Sequence, residues 1–494
     1  MQGEGILTKV AFVHKAMRAH QSVMLLSAVL KEKLYETNVF IIEGELSVTF
    51  REIIDYDPQV VAFSSTTHSQ KKDLELARLL KDANDDFHII MGGPHPTFYP
   101  QVLEENDQLD SICVGEGEYA LLELVENIEN KSKYRSIRNL HIRENGKIYK
   151  NGIRDYVKDL DEWPIFDYGL YFDKYASMAE APTKMFMAAK GCPFPCSYCF
   201  NAKLLDMYKG KGPYVRSKSP DRIIEEIQRV KSEFSLKWVK FDDDTFGMNR
   251  SWLLEFAEKY KKLVGLPFLC NLRANMVDEE LMKILKDAGV DRIDFGVECG
   301  NEKFRKDVLK RNISNEHIIK TGDLLKKYKI RFHTGSIVGF PGETVEQAFE
   351  TVYLNRRIRP NLAACSVLQP YPGTAIYEYA LKHNYLKKEI TMDDFGALKT
   401  VTVRWKSGGE GVKSPISQEN ITRLINLSSL FDVAVQHPKL ESVIRILIRH
   451  KPNRVFNFLS QWGYFKVYFK YASGYKDRLR LVWRFLKPLF PDKH

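Results

Sequence analysis

The sequence lacks an apolar run of the roughly 18 residues that a membrane-spanning helix needs. Its first residues also lack the charged start, the apolar stretch and the small-residue cleavage site of a signal peptide. Hydrophobic residues make up 44% and charged residues 28% of the 494 residues, which is the balance of a soluble globular protein. We therefore expect a cytoplasmic protein, and a chain of this length predicts two or three domains.

Cysteine is scarce, with seven residues in the chain. Three of them, Cys192, Cys196 and Cys199, fall within eight residues of one another. An odd and clustered set is not the pattern of a disulfide framework. In a cytosolic protein, such a cluster is typical of metal binding or redox chemistry.

Positive charge is concentrated at one end of the chain. The formal net charge is +10, and the segment from Lys439 to His494 alone has 13 Lys or Arg residues against 3 Asp or Glu. The preceding residues are close to neutral, so nucleic acid is disfavoured as a partner. The basic and aromatic tail is compatible with peripheral membrane contact, with nucleic-acid contact, or with a helical cap whose charges are solvated.

Two successive series of strands and helices predict the architecture. Residues 9–130 alternate short β-branched strands with amphipathic helices, a pattern that predicts an α/β fold with a doubly wound parallel sheet. The Asn145-Gly146 pair predicts a hairpin, and this first domain is expected to span residues 1–150. A linker is expected over residues 151–182.

The second series begins near Thr183 and contains six strand-helix units. It predicts a partial barrel of the TIM type over residues 183–405. Residues 406–494 are predicted to form a helical region that is rich in basic and aromatic residues.

The cysteine cluster follows the first strand of this barrel, on the face where such folds keep their active sites. Three thiolates can bind three irons of a cubane [4Fe-4S] cluster and leave the fourth iron open to a ligand. A zinc knuckle and buried structural thiols are the alternatives. Zinc needs a fourth ligand, and neither Cys nor His follows Cys199 within about seventy residues.

The C-x3-C-x2-C spacing, with the aromatic Tyr198 before the third cysteine, resembles the radical S-adenosylmethionine (SAM) superfamily. The resemblance implies that the open iron binds the amino and carboxylate groups of SAM and that Tyr198 packs near the adenine. It implies further SAM contacts at the ends of later barrel strands. These are Asp243, Arg273, Glu298, Gly339 and Glu343.

The same residues also have structural interpretations that stay open. Arg273 and the carboxylates can pair with one another, Asp243 belongs to an acidic run that suits a solvated turn, and Glu343 suits the first turn of a helix. The sequence also departs from the family pattern. It lacks the Gly-Gly-Glu of many members, and Cys299 follows Glu298 where Ser is frequent.

Three polar or glycine-rich groups lie at the predicted carboxyl ends of strands in the first domain, where open α/β sheets bind ligands. These are Ser64, Ser65 and Thr66; Gly92, Gly93, Pro94 and His95; and Gly115, Glu116 and Gly117. Ahead of a radical SAM barrel, they resemble the cobalamin-binding domain of the class B methyltransferase-like branch. The Asp-x-His-x-x-Gly segment that supplies a cobalt ligand in many cobalamin proteins is absent. The alternative is a degenerate Rossmann-like domain that binds nothing or docks a partner.

The resemblance implies an enzyme that cleaves SAM to a 5′-deoxyadenosyl radical and, with cobalamin, methylates an unactivated carbon of a lipid or other secondary metabolite. An external one-electron reductant of the flavodoxin or ferredoxin type is expected. No catalytic acid or base is expected, since the cofactors carry the chemistry. A radical cyclase or rearrangement enzyme without methyl transfer and a non-catalytic cobalamin or iron-sulfur sensor are the alternatives.

Overall fold

The computed structural model of the chain describes residues 8–15, 18–128, 135–387 and 414–451. It also describes the single residues Lys133, Phe395, Phe456, Leu459, Phe465, Phe469 and Val482. Most of the expected basic tail therefore lies outside the described residues. The predicted membrane contact concerns the same residues and stays a prediction. The part from 414 to 451 is largely helical. Within the described ranges, no helix is both long and apolar enough to cross a membrane.

The first sheet has seven strands in the order β2-β1-β3-β4-β5-β6-β7. The strands are β1 Lys9–His14, β2 Glu36–Ile41, β3 Val60–Ser64, β4 His88–Gly92, β5 Ser111–Cys113, β6 Leu140–Glu144 and β7 Lys147–Lys150. The first five pair in parallel, and β6 and β7 add an antiparallel edge. The parallel strands are almost continuously apolar because helices cover a parallel sheet on both faces. The predicted doubly wound sheet is confirmed, and the positive φ angles of Asn145 and Gly146 form the predicted hairpin turn.

The second sheet has six strands in the order β15-β14-β13-β12-β11-β8. They are β8 Thr183–Phe186, β11 Trp238–Phe241, β12 Phe268–Leu272, β13 Val290–Glu298, β14 Arg331–Val338 and β15 Leu362–Val367. A short pair, β9 Ala189–Lys190 and β10 Arg216–Ser217, forms a separate antiparallel ribbon. The open six-stranded sheet, with a helix after most strands, confirms the predicted partial barrel.

Helices connect these strands. In the first half of the chain they are Gln21–Glu32, Leu46–Tyr56, Gln70–Ala83, Pro94–Phe98, Val102–Glu105, Glu118–Glu126, Gly169–Phe172, Ala176–Ala179, Phe200–Met207 and Pro220–Glu233. In the second half they are Arg250–Leu263, Glu279–Ala288, Glu302–Asp307, Asn315–Lys327, Val345–Ile358, Ala375–Lys382, Ile421–Gln436 and Glu441–Leu447. Short 3-10 turns occupy Leu160–Glu162, Ala274–Met276 and Pro438–Leu440.

Local sequence explains where several helices begin. Ser219 accepts a hydrogen bond from the backbone N–H of Arg222, with Pro220 in the first helical turn. Thr344 and Gln347 form a reciprocal capping box at the start of Val345–Ile358. These caps satisfy backbone donors that the helix itself leaves unpaired.

The chain divides into two compact units. The first unit contains Met1–Lys190 and Leu204–Leu236, and the second contains Gly191–Lys203 and Lys237–His494. A core of the first unit surrounds the parallel strands and includes Val13, Phe63 and Met91. A core of the second unit joins the helices Val345–Ile358 and Ile421–Gln436 to the last strands of the barrel.

Candidate functional site

The cysteine loop, residues 191–199, is held by backbone hydrogen bonds to two later segments. The Ser197 N–H donates to the Leu309 carbonyl at 2.9 Å, and the Ile376 N–H donates to the Ser197 carbonyl at 2.9 Å. All three cysteines of the loop carry free thiols. The second unit therefore fixes the loop while leaving its thiols available.

Two guanidinium groups lie beside the middle thiol. Arg273 Nη1 is 3.4 Å and Arg311 Nη1 is 3.9 Å from Cys196 Sγ. The Arg273 guanidinium also lies 3.8 Å from the centre of the Phe194 ring. Both guanidinium groups can therefore donate hydrogen bonds to the Cys196 sulfur.

The two outer thiols, Cys192 and Cys199, are partly buried. Burial raises the pKa of the Cys192 thiol and raises the pKa of the Cys199 thiol to about 11. The free Cys199 thiol therefore stays protonated near neutral pH, and metal binding must displace its proton. Among the described residues, no three Cys, His, Asp or Glu side chains converge on a single ion position. A cubane cluster binds each thiolate at a different iron, so the spread of the three thiols is compatible with it.

Glu298 ends β13 in an unusual backbone conformation. Its φ is +63°, and the pairing of β13 with β14 shifts register between Gly296 and Glu298. The carboxylate folds back over Gly296, where any side chain would collide with it. Burial raises the pKa of Glu298, while Arg311 and Tyr198 oppose the shift. A strained, partly buried carboxylate next to an arginine is a feature that clusters at functional sites.

Glu343 follows β14 and is completely buried. Its Oε2 accepts the backbone N–H groups of Gly339 at 2.6 Å and Phe340 at 3.2 Å. Its Oε1 has no hydrogen-bond partner among the residues that the structure describes. Burial raises the pKa of Glu343 to about 8, so the carboxyl group is mostly neutral at pH 7.

The acidic run after β11 lies beside the cysteine loop. Thr245 Oγ1 is 3.9 Å from Cys192 Sγ, and Asn201 Nδ2 donates to Asp244 Oδ1 at 2.9 Å. The backbone carbonyl of Asp243 accepts from Asn271 Nδ2 at 3.0 Å, and Asp243 itself is buried. The structure thus places the residues predicted for the cluster and for SAM in one unit.

The predicted loops of the first unit also meet. The Ser65 N–H donates to the Gly92 carbonyl at 2.9 Å, and the His95 N–H donates to the Ser65 carbonyl at 3.1 Å. Gly93 has a φ of +94°, and a Cβ there would lie 2.8 Å from the Ser65 carbonyl oxygen. Only glycine permits this close approach of the two loops.

Thr97 connects these loops to the third one. Its hydroxyl donates to the Gly93 carbonyl at 2.8 Å and accepts the Gly115 N–H at 3.1 Å. His95 is buried nearby, and burial lowers its pKa to about 4. Its Nε2 has no partner in the described part of the chain, which leaves a neutral imidazole nitrogen available to a ligand.

The carboxylate of Glu116 forms ion pairs with two basic side chains. Lys190 Nζ lies 2.8 Å and Arg216 Nη2 2.5 Å from Glu116 Oε1. Its backbone N–H donates to the hydroxyl of Tyr208 at 2.8 Å. Glycine is required at position 115, because a Cβ there would collide with the same hydroxyl.

Sequence reasoning missed several residues of both sites. Arg311 and Tyr208 belong to no recognised motif and reach their partners only through the fold. In the sequence, Asp73 has no feature that distinguishes it from other helix residues. In the structure it is buried and accepts hydrogen bonds from the hydroxyl groups of Ser65 and Ser69, each at 2.7 Å. Burial raises the pKa of Asp73 to about 6. An acidic residue four or eight positions after a serine gives too weak a signal to identify such a contact.

Two segments of the chain match the models of known protein families. The model of the radical SAM superfamily matches residues 188–353, and the model of the B12 binding domain matches residues 20–125. The chain therefore contains a radical SAM domain and a B12-binding domain. The expected recognition is confirmed, and so are the expected cofactors, which are a [4Fe-4S] cluster, SAM and cobalamin.

Proteins similar to this chain include different enzymes. The chain is 29% identical over 380 residues to an uncharacterised methyltransferase of Pyrococcus horikoshii, with 74% of this chain and 81% of the relative covered. It is 26% identical over 340 residues to the anaerobic magnesium-protoporphyrin IX monomethyl ester cyclase of Rubrivivax gelatinosus. That match covers 66% of this chain and 59% of the cyclase.

Solved structures share the fold. The cobalamin-dependent SAM radical enzyme OxsB superposes with a TM-score of 0.69 at 17% identity, covering 97% of this chain and 75% of OxsB. The radical SAM methyltransferase TsrM of Kitasatospora setae superposes with a TM-score of 0.63 at 15% identity, covering 78% of this chain and 80% of TsrM.

The residues present fit these cofactors. Three free thiols are the ligands that an iron-sulfur cluster takes. Buried polar atoms without partners among the described residues lie at both sites, on Glu343 and Arg311 in the second unit and on His95 in the first. Native structures rarely leave such atoms unsatisfied, and a bound ligand would satisfy them.

Proposed function

We propose that this protein is a cobalamin-dependent radical SAM methyltransferase that methylates an unactivated carbon of a small molecule. The carrying observation is the grouping of three free thiols with Arg273, Arg311 and Glu298 in one unit. When bound, the cofactors would supply an electron for SAM cleavage to a 5′-deoxyadenosyl radical and a methyl group for the substrate. A one-electron donor of the flavodoxin or ferredoxin type would reduce the cluster.

In this proposal Cys192, Cys196 and Cys199 hold the cluster. Arg273 and Arg311 donate hydrogen bonds to Cys196 Sγ, and Arg273 also pairs with the SAM carboxylate through its planar fork. Tyr198 packs near the adenine.

Four further residues orient SAM. Glu298 and Asp243 accept hydrogen bonds from its amino group or its ribose. Gly339 presents backbone to the adenine, and Glu343, which is mostly neutral at pH 7, donates a hydrogen bond through Oε1.

The loops of the first unit would hold cobalamin through backbone groups and small side chains. Ser64, Ser65 and Thr66 form one side of this site, Gly92, Gly93, Pro94 and His95 the second, and Gly115, Glu116 and Gly117 the third. The Glu116 side chain positions its loop through Lys190 and Arg216, so it contributes to the cofactor site through its backbone.

Anaerobic reconstitution with iron, sulfide, SAM, methylcobalamin and a reductant tests the proposal. We expect the brown chromophore of the cluster and release of 5′-deoxyadenosine from the wild type. Cys192→Ala, Cys196→Ala and Cys199→Ala should each lose both, because each removes an iron ligand. Cys365→Ala, which removes a thiol outside the loop in the same unit, should keep both. Retention of 5′-deoxyadenosine in the three loop variants would refute the proposal.

Cyclisation without methyl transfer is the second candidate, because the Rubrivivax gelatinosus relative is a cyclase. SAM carrying a deuterated methyl group separates the two. Transfer of the label to a product supports the methyltransferase, whereas 5′-deoxyadenosine together with an unlabelled, altered product supports the cyclase.

A further inference from the structure

The second sheet has two faces of different character. On one face of β14, the Thr334 hydroxyl donates to Asn355 Oδ1 at 2.6 Å, and Asn355 Nδ2 donates to the Ser336 hydroxyl at 3.2 Å. Asn355 belongs to the helix Val345–Ile358, so this face packs on the surrounding helices. Successive strand residues alternate between faces, so His333 and Gly335 lie on the opposite, inner face of the barrel.

Polar residues form a row across the inner face. The parallel register pairs Asn271 of β12 with Asp294 of β13, and Asp294 with His333 of β14. Lys240 of β11 adds to this face and contacts Asp242, which is two residues further along, at 3.0 Å. The interior of a closed eight-stranded barrel is filled by branched apolar side chains, whereas this row on the open six-stranded sheet is polar.

The charges of this polar row are already balanced. Arg292 Nε lies 2.9 Å from Asp294 Oδ1 and its Nη2 donates to Asp294 Oδ2 at 3.0 Å, while Lys240 pairs with Asp242. Each charged side chain of the row is therefore already paired with another side chain, and no unpaired charge is left to bind a charged ligand.

His333 is the member of the row with a free hydrogen-bonding atom. The residue is 9% exposed, and its Nε2 has no partner among the described residues. Its Nδ1 lies 3.7 Å from Asp294 Oδ1. The nearby carboxylate favours the N–H on Nδ1, which leaves Nε2 as an acceptor. A buried acceptor without a partner costs free energy that a ligand donor would recover.

Space for a ligand lies next to this histidine. A Cβ added at Gly335 would meet no atom within 4 Å. In register with Gly335 lie Gly296 on one side and Ala364 on the other. The Glu298 carboxylate lies over Gly296, so it bounds the open space on the side of β13, toward the carboxyl ends of the strands where the cysteine loop lies.

We propose that this polar row binds a neutral hydrogen-bonding group of the substrate, a hydroxyl or a carboxamide that donates to His333 Nε2. The proposal rests on the function proposed above and narrows its substrate to a polar small molecule. A hydrocarbon chain would cover the partly exposed side chains of Asp294 and Asn271 and leave His333 Nε2 without a donor, which is unfavourable. A lipid acyl chain is therefore a poor occupant of this part of the barrel.

Saturation-transfer NMR on the anaerobically reconstituted full chain tests the proposal with three probes. These are erythritol for hydroxyl groups, propanamide for the carboxamide and hexanoate for an acyl chain. We expect a signal from erythritol or propanamide. His333→Leu should weaken its binding about five- to tenfold, which corresponds to the loss of one hydrogen bond.

Two further variants make the result specific. Gly335→Val fills the space beside His333 without touching the ion pairs, and its backbone φ is not in the left-handed region, so the fold should tolerate it and probe binding should fall. His317→Leu makes the same change as His333→Leu at an exposed histidine and should leave binding unchanged.

The proposal is overturned if no neutral probe gives a signal that depends on both His333 and Gly335, or if hexanoate gives the stronger dependent signal. Release of 5′-deoxyadenosine is measured on the same samples. Wild type that releases 5′-deoxyadenosine without binding a neutral probe contradicts this inference alone. Probe binding without 5′-deoxyadenosine contradicts the proposed function instead.

Discussion

The buried carboxyl group of Glu343 makes the stability of the folded protein depend on pH. Because its pKa rises to about 8 in the folded protein, the folded state binds a proton that the unfolded state releases near its ordinary pKa of 4.5. Its stabilising effect is therefore full below about pH 4.5 and is lost as the pH rises to about 8.

Glu343→Gln should flatten this dependence, since the amide stays neutral and its oxygen can still accept the Gly339 N–H. Between pH 5 and 8, wild type should lose up to about 1.4 kcal/mol per pH unit relative to the variant. Thermal unfolding across this range measures the difference. Glu316→Gln, at an exposed position, is the control, and equal slopes for wild type and Glu343→Gln would contradict the account.

Gly93 is a second single position on which a site depends, in this case the proposed cobalamin site. Alanine there would combine a strained φ of +94° with a Cβ 2.8 Å from the Ser65 carbonyl oxygen. We expect Gly93→Ala to lose most bound cobalamin while keeping its iron, as measured by visible spectra and iron content.

Gly44→Ala is the matched control for that prediction. Gly44 has a φ of +72° but open space around its Cβ position, so it has the strain without the collision. If both variants lose cobalamin equally, strain alone explains the loss and the close approach of the loops does not matter.

At the scale of elements, the short helix Glu302–Asp307 supports the cysteine loop. The Arg305 guanidinium donates to the Ile313 carbonyl at 2.9 and 2.7 Å and to the Cys299 carbonyl. It thereby ties the segment that contains Leu309, whose carbonyl accepts the Ser197 N–H, to the end of β13.

Arg305→Met should lower the free energy of unfolding by about 3 kcal/mol, because it leaves buried carbonyl groups unpaired. Iron retention should fall as well, since the segment no longer holds the loop. Chemical denaturation and iron analysis measure the two effects. Arg357→Met, at a half-exposed arginine, should change neither, and a variant at Arg305 that retains wild-type iron would disprove the supporting role.

Local sequence patterns predicted the secondary-structure elements, but they did not predict the tertiary contacts between those elements equally well. The Asn145-Gly146 turn and the spacing of the three cysteines are encoded in consecutive residues, so both could be predicted from the sequence. The left-handed φ of Glu298 could not, because a register shift between β13 and β14 produces it. Arg311 was missed because only tertiary packing brings it to Cys196.

At the scale of the whole molecule, the sequence predicts a first domain over residues 1–150, a linker over 151–182 and a barrel over 183–405, while the chain forms two compact units. The first unit includes Leu204–Leu236. Within it, the Tyr168 hydroxyl donates to Glu226 Oε1 at 2.6 Å, and Lys218 pairs with Glu226 in a completely buried position. Periodicity could not reveal this arrangement, because the partners are some 58 residues apart.

A fragment of residues 1–182 should therefore be less stable than one of residues 1–236. The shorter fragment leaves Tyr168 and Glu116 without the partners at Glu226 and Arg216, and breaking a buried ion pair costs about 3–5 kcal/mol. Limited proteolysis and thermal unfolding of both fragments measure this. In the longer fragment, Glu226→Ala should reproduce part of the loss, whereas equal stability of the two fragments would support a boundary at residue 182.

The backbone anchors of the cysteine loop also set an order of events during synthesis. Leu309 and Ile376 are translated long after Cys199, and at typical elongation rates the ribosome needs roughly 10–35 s to pass from Cys199 to Ile376. Until then the nascent thiols have no fixed geometry. Iron-sulfur assembly machinery should therefore deliver its cargo only after most of the polypeptide has emerged, and reducing conditions must protect the cysteines meanwhile.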